Sequence, residues 1–586
     1  MKLLKKCHSR NTKGKDPSTC FGTHTNFHSL RISRSLCRKV FAIASPRKTR
    51  APLHFLEIEG FGQRPTQLAL RARRYTKHFL EHLEHKHCLS EETSTRLCKV
   101  NGFVKVSIQD AASRTASAKG LSPDKAHQLG WNDIGWNNPE IQTPHLDELA
   151  RNGVIMNQSY VQPICTPSRA AFMTGYYPYH IGRQNCVVIV LEPTGVSIKY
   201  PFLPKKLKEL GYSTHIIGKW HLGHCNQSYT PLHRGFDSFL GFYYAEGDYY
   251  THTIEKSVQM WQELLDFHRN SYPTNQYKGV YTTEVMKNAV TELLSKSNPD
   301  IPLFLYLPFQ AVHSPLQVPK IYEDKYSHIT NKERRIFSGM VTAMDEAVGS
   351  LVTDMKRYGF WDNFLIAFIS DNGGEVLSGG SNYPLRGAKM TLWEGGTRVP
   401  TFLYGDVLQK KGYVNNNLIH AVDWFPTLLA AAGGQNSDPD MDGMNQWDMI
   451  NFDGPEVRKE FVYNIYDLEY KRAAIRVGDY KLIIGYPGLP CDWLPISQQV
   501  EGIELEKSCQ KSNISERGVY LFNIKDDPLE KNNLAPTEKV VLQRMKHRLD
   551  QMGRSMVPSD DPFPNFFAMR KLTRIGALVP GWCAAK

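Results

Sequence analysis

The chain has 586 residues, 41% of them hydrophobic, and a formal net charge of +13. That length suits two to four domains, or one large α/β domain with a smaller one beside it. No stretch approaches the roughly 20 consecutive apolar residues of a transmembrane helix, so no membrane span is expected.

The charge is uneven. Residues 1–125 carry 25 Lys and Arg against 9 Asp and Glu, and the remainder carries 46 against 49. A basic nucleic-acid or membrane surface can therefore concern the first segment alone, and no nucleic-acid partner is expected for the rest. The opening MKLLKKCHSRNTKGK has no apolar run of the kind a secretory signal needs. Five of the eleven cysteines lie in the basic segment, and Cys165, Cys186, Cys225, Cys491, Cys509 and Cys583 follow it. Residues 1–125 show no sustained periodicity and are expected to be mostly disordered. Within them, 68–89 has the pattern of a short helix, and FVKVSIQD, residues 103–110, alternates like one strand.

The texture changes at Trp131, where helical and strand patterns begin to alternate as in an α/β fold. TPHLDELARNG places Thr143 as N-cap, Pro144 at the first helical position and a stop at Asn152-Gly153. FLPKKLKELGYSTHIIGKWHLG gives a helix stopped at Gly211 and a strand from Ser213 to Ile217. PLFLYLPF (302–309) and NFLIAFIS (363–370) are continuous apolar runs, the pattern of central strands covered on both faces. Between them lies a helix with apolar spacing, ended at Gly359. After about residue 450 shorter strands such as AAIRVGDYKLIIGY suit a small antiparallel sheet.

Five features carry chemistry. CTPSRAAFMTG, residues 165–175, fixes six positions that would match C-x-P-S-R-x4-T-G by chance on the order of once per hundred million starting points. In GKWHLG, Lys219 and His221 alternate on an extended segment and are expected to face one side. ISDNGG places Asp371 and Asn372 at the end of a buried strand, where ligands of open α/β sheets gather, with hard oxygens suited to Ca²⁺ or Mg²⁺. His313 follows the strand at 303–307, and Lys389 follows the Asp-Asn-Gly-Gly loop by 18 positions. Singly, most of these are better explained as a turn, a structural histidine or a solvated lysine.

Together they resemble the sulfatases, over residues 129–586, and their spacing is similar to that of arylsulfatase B-like enzymes. The resemblance implies an alkaline-phosphatase-like large mixed α/β sheet flanked by helices, with a smaller C-terminal antiparallel sheet. It divides the chain into a non-family segment 1–125, a catalytic domain 126–448 and an α+β domain 449–586. It implies hydrolysis of sulfuric esters, either aryl sulfates or sulfated glycans such as N-acetylgalactosamine 4-sulfate. A formylglycine-generating enzyme oxidises the cysteine at the position of Cys165. The hydrated aldehyde then attacks sulfur, and its second hydroxyl expels sulfate. By the same resemblance Arg169, Lys219, His221, His313 and Lys389 are catalytic. Lys219, His313 and Lys389 contact the sulfate or protonate the leaving oxygen, and Asp371, Asn372 and the modified Cys165 bind Ca²⁺ or Mg²⁺. It also implies a lysosomal or secreted glycoprotein, with Asn226 and Asn513 as glycosylation sites.

The chain departs from the family at one place. Where sulfatases end their first strand in A-D-D-L-G-W, this chain reads Ala126-His127-Gln128-Leu129-Gly130-Trp131. The first central strand and two metal carboxylates are therefore expected to be missing, with residues 1–128 derived from an alternative or misassigned first exon. The competing source of a strand and a ligand is FVKVSIQD with Asp110, against which the 18 residues before Leu129 argue. Poor metal binding would leave a catalytically impaired, sulfatase-like glycan binder, and the shared superfamily leaves phosphate or phosphonate esters as alternative substrates.

Overall fold

The structure, a computed structural model, describes residues 129–254, 262–465, 472–490 and 517–586, together with the backbone of 104–109. The expected disorder of 1–125 otherwise concerns residues outside those described. All described residues belong to one compact unit spanning 89–586.

In chain order the strands are β1 (Val104–Gln109), β2 (Val154–Tyr160), β3 (Ser213–Lys219), β4 (Ser238–Phe242), the ribbon β5 (Thr253–Ile254) and β6 (Leu264–Leu265), β7 (His268–Arg269), β8 (Tyr272–Pro273), β9 (Leu303–Pro308), β10 (Leu365–Ile369), β11 (Thr401–Tyr404) and β12 (Tyr413–His420). Ten of them form one mixed sheet in the order β12-β2-β11-β10-β1-β9-β3-β4-β7-β8. The four strands β13 (Glu460–Ile465), β14 (Ala473–Val477), β15 (Tyr480–Gly485) and β16 (Gly518–Asn523) make a separate antiparallel sheet. The mixed sheet and the C-terminal antiparallel sheet are those the resemblance implied.

β1 corrects the expectation that the first central strand is missing. It runs parallel to β9 on one side, with Val106 opposite Leu305, and to β10 on the other, with Val106 opposite Ile366. β9 and β10 are buried along their whole length and do not pair with each other. A sheet without β1 would leave their facing N–H and C=O groups without partners in the interior, a cost native folds avoid. FVKVSIQD therefore supplies the strand, and residues 110–128, Asp110 among them, lie outside those described. The sequence reading sought the strand directly before Leu129-Gly130-Trp131, and in this chain residues 110–128 intervene.

The helices that bear on the site are α1 (Pro144–Asn152), α2 (Cys165–Thr174), α3 (Leu203–Glu209), α4 (Thr282–Lys296) and α5 (Lys332–Arg357). α1 begins and ends as read, but its cap differs. The Thr143 hydroxyl donates to Asp147 and accepts from the Gly135 N–H instead of closing the first turn. The first turn is capped from another element: Asp345 of α5 accepts from the backbone N–H of His145 at 3.3 Å and of Leu146 at 2.7 Å.

One apolar cluster runs through the large sheet and the C-terminal sheet, joining Tyr160, Phe461 and Tyr463. A wholly buried ionic hub is set into it. Lys481 of β15 lies 2.9 Å from Glu394 and 2.8 Å from Glu530, and Glu394 accepts from the Tyr160 hydroxyl at 2.7 Å. A disulfide joins Cys225, just after GKWHLG, to Cys583 across 358 positions.

Burial pushes the Asp345 carboxyl up to about 7. Its folded value is raised, so its contribution to stability is fully present below the unfolded value near 4 and is lost as pH rises through about 7. Asp345→Asn does not titrate and can still cap α1. The variant is expected to melt close to the parent at pH 5 and clearly above it at pH 8.5. A melting difference that does not change with pH would count against this account.

Candidate active site

The parallel strands set the geometry. β1, β3, β9 and β10 run in one direction, so their carboxyl ends share one edge of the sheet. Lys219 is the last residue of β3, Asp371 and Asn372 follow β10, and His313 lies five residues beyond β9. Two glycines permit the close approaches. A Cβ on Gly218, whose φ is +129°, would fall 2.0 Å from the Pro308 carbonyl oxygen, and one on Gly373 would fall 1.8 Å from that of Gly395.

Cys165 opens α2, and every residue of that helix is buried. The motif serine closes the first turn: the Ser168 hydroxyl accepts from the Gln162 N–H and donates to the Ile164 carbonyl. Helix N-termini favour negative charge through their unpaired N–H groups. Thr166 Oγ1 donates to the His221 carbonyl at 3.0 Å and accepts from the Val188 N–H, tying the helix start to GKWHLG and to the 185–191 strap.

Arg169, one turn along, is wholly buried. Its Nε donates to Asp371 Oδ2 at 2.8 Å, and its Nη1 donates to the Lys219 carbonyl and to the Tyr306 hydroxyl, both at 3.1 Å. Lys219 and Lys389 are also buried, with 0% and 2% exposure. Lys219 Nζ has no hydrogen-bond partner among the described residues. Burial, together with neighbouring cations, lowers Lys219 to about 7, opposed by Cys165 and Asp371. Burial raises the Cys165 thiol despite Lys389, Lys219 and Arg169. It also raises Asp371 against the pull of Arg169. Three cations thus surround one cysteine and one carboxylate, an arrangement suited to an anionic ligand.

His221 is placed differently from the sequence reading. β3 ends at Lys219, and His221 takes a left-handed φ of 61°, so the pair does not continue one alternating strand. His221 Nε2 lies 3.1 Å from the Val188 carbonyl and its ring meets Tyr244 edge-on. His313 is wholly buried, and its Nδ1 lies 2.8 Å from the Ser314 carbonyl and 3.4 Å from Glu246. Sequence reasoning missed Tyr306, whose signal was a single hydroxyl inside an apolar run, and Glu246, which carried none.

For a metal, Asn372 is the informative residue. Its Nδ2 donates to the Gly373 carbonyl, and its Oδ1 is buried with no hydrogen-bond partner among the described residues. With Asp371 it fits one side of a Ca²⁺ or Mg²⁺ site, well short of the six or more oxygens such ions take. No cluster of three His, Cys, Asp or Glu suited to a metal occurs among the described residues. The Leu129–Asp133 stretch is nevertheless held beside that loop: Ser370 Oγ donates to the Leu129 carbonyl at 3.1 Å, and Asp133 accepts from the Gly130 and Ser381 N–H groups. Asn226 is half-buried, and its Nδ2 donates to the Cys583 carbonyl at 2.8 Å. Asn513 lies outside the described residues. Among the described residues, no helix is long and apolar enough to cross a membrane.

A family profile described as Sulfatase matches residues 126–434. Mouse arylsulfatase J is 38% identical over 454 residues, spanning 74% of this chain and 75% of that protein. Human N-acetylgalactosamine-6-sulfatase is 30% identical over 334 residues, spanning 54% of this chain and 63% of that protein. Among solved structures, Ps i-CgsB in complex with k-i-k-neocarrahexaose aligns with a TM-score of 0.66 at 27% identity, covering 81% of this chain and 97% of that one. The motif at Cys165, the buried cations around it and these likenesses agree, and the chain belongs to the sulfatase family of sulfuric ester hydrolases.

Proposed function

We propose that the chain removes sulfate from N-acetylgalactosamine esters in glycans, at an oxygen nucleophile made by oxidising Cys165 to formylglycine. The observation that carries this reading is Lys219, a wholly buried ammonium beside Cys165 with no hydrogen-bond partner among the described residues. A buried cation without a partner is costly, and a tetrahedral dianion or monoester monoanion would supply one. The glycan assignment is supported by the human relative's activity on N-acetylgalactosamine 6-sulfate, by a solved relative bound to an oligosaccharide, and by motif spacing like that of arylsulfatase B-like enzymes.

When formed, formylglycine supplies a hydrated aldehyde as the nucleophile. Lys219, Lys389 and Arg169 bind and orient the nonbridging oxygens, and charge developing there is met by donors already in place. His221 holds the nucleophile's hydroxyl, and His313 holds the proton given to the leaving oxygen. Asp371 and Asn372, with the modified Cys165, would hold a Ca²⁺ or Mg²⁺ that polarises the site. The disulfide Cys225–Cys583 supports an oxidising compartment, in line with a lysosomal or secreted protein modified by a formylglycine-generating enzyme. Asn226 and Asn513 are the proposed glycosylation sites, within a catalytic region 126–448 and a C-terminal region 449–586.

Mass spectrometry of the Cys165 peptide from a secretory host is expected to show the aldehyde. Cys165→Ala is expected to lose about a thousandfold or more in kcat. An unmodified cysteine in protein that still binds sulfated glycan would replace the enzyme reading with a binding one. Faster turnover of 4-nitrophenyl phosphate than of 4-nitrophenyl sulfate would replace it with a phosphoesterase.

Lys219 gives a separate test. Its ammonium is charged below about 7 and neutral above it. Inhibition by inorganic sulfate is therefore expected to be strong at pH 5 and to weaken as pH rises through about 7. Lys219→Gln should bind sulfate weakly at both values, and a parent Ki unchanged between pH 5 and 8 would remove Lys219 from the anion site.

A further inference from the structure

One loop touches both histidines of the site. Residues 243–250 leave β4 and are anchored where Asp266 accepts from the Tyr243 and Tyr244 N–H groups at 3.0 and 2.8 Å. The Tyr244 ring then meets the His221 ring edge-on at 5.9 Å between centroids. Two residues later, Glu246 Oε2 accepts from Ser314 Oγ at 2.7 Å and lies 3.4 Å from His313 Nδ1. The loop is fastened to the His313 segment again at Tyr249, whose hydroxyl donates to the His313 carbonyl at 2.8 Å and to the Gln310 carbonyl at 3.0 Å.

These contacts determine which nitrogen of His313 carries the fixed proton. The Ser314 carbonyl oxygen, 2.8 Å from Nδ1, can only accept, and Ser314 Oγ, 3.1 Å from Nδ1, gives its own proton to Glu246. A carboxylate on the same side can only accept as well. Nδ1 is therefore the N–H nitrogen, and Nε2 is the nitrogen that can exchange a proton with a substrate. A negative charge at Glu246 also favours the imidazolium over the neutral ring, the form that donates from Nε2. The arrangement repeats the logic by which a buried carboxylate holds a catalytic imidazole in one tautomer.

We infer that Glu246 is a positioning residue for desulfation, acting through Ser314 and His313 Nδ1 to hold the His313 imidazole ready to protonate the leaving oxygen. The inference rests on the proposed role of His313 as the acid. A positioned acid matters most for a poor leaving group. A sugar alkoxide needs a proton as the S–O bond breaks, whereas a nitrophenolate leaves without one. Loss of Glu246 should therefore discriminate between esters, which a general loosening of the fold would not do.

The full-length enzyme would be compared as parent, Glu246→Gln, Glu246→Asp, Ser314→Ala and His313→Ala. Rates are normalised to formylglycine content, with N-acetylgalactosamine sulfate and 4-nitrophenyl sulfate as substrates. For Glu246→Gln, kcat on the sugar sulfate is expected to fall about 10- to 100-fold, the lower range of what a positioned acid contributes, with little change in KM. On 4-nitrophenyl sulfate it should fall by less than about threefold. Ser314→Ala should shift the same ratio in the same direction, and Glu246→Asp should restore part of the loss. Should Glu246→Gln fail to fold, Ser314→Ala decides by the same ratio. His313→Ala showing ester discrimination while Glu246→Gln and Ser314→Ala lose both substrates equally, or neither, would overturn the inference alone. His313→Ala without discrimination would overturn the acid role of His313 and the inference with it.

Discussion

The site depends on a concentration of buried charge. Arg169, Lys219 and Lys389 lie around Cys165 out of reach of solvent, with the Asp371 carboxylate paired to Arg169. Taking cations out of water costs several kcal/mol each unless an opposite charge is close. The remainder of the structure makes that cost bearable. Parallel strands deliver Lys219 and Asp371 to one edge, α2 brings Arg169 across to meet them, and glycines let the loops approach closely enough to exclude water. On the proposed function, the substrate's own negative charge is what these cations meet.

The C-terminal sheet takes part in this. Lys389 belongs to a loop whose N–H at that residue donates to the Gly374 carbonyl at 3.0 Å. The same loop is held at Met390 by Arg472, beside β14, and at Glu394 by Lys481 of β15. Removing Lys481 would leave Glu394 and Glu530 facing each other in the interior, and the loop carrying Lys389 would lose one of its fastenings. The small sheet, far from Cys165 in sequence, thus steadies Lys389, one of the cations around it.

Much of this was legible in the sequence, for identifiable reasons. CTPSRAAFMTG and ISDNGG are short, and their chemistry depends on local spacing, so Arg169 and Asp371 meet as the patterns suggest. The apolar runs at 302–309 and 363–370 became central strands because nothing but a doubly covered strand accommodates such runs. Non-local facts were not legible. β1 was set aside because its pattern is short and separated from Leu129, and only the unpaired ladders of β9 and β10 require it. The cap on α1 comes from Asp345, about 200 positions away, and the contact of Glu246 with His313 spans two loops. The left-handed turn at His221 is a backbone choice that residue type barely signals, since non-glycine residues seldom adopt it.

Under the proposed oxidation of Cys165, its burial also imposes an order in time. With 0% exposure in the folded chain, the thiol can meet an oxidising enzyme only before α2 is enclosed. The disulfide to Cys583 closes only after nearly the whole chain has been made, and it pins that end beside GKWHLG. A polypeptide emerging from the ribosome exposes CTPSR some four hundred residues before that staple can form. Folding that outran oxidation would therefore seal in an inert thiol, so the fraction of active molecules would be set by a race between two rates during synthesis.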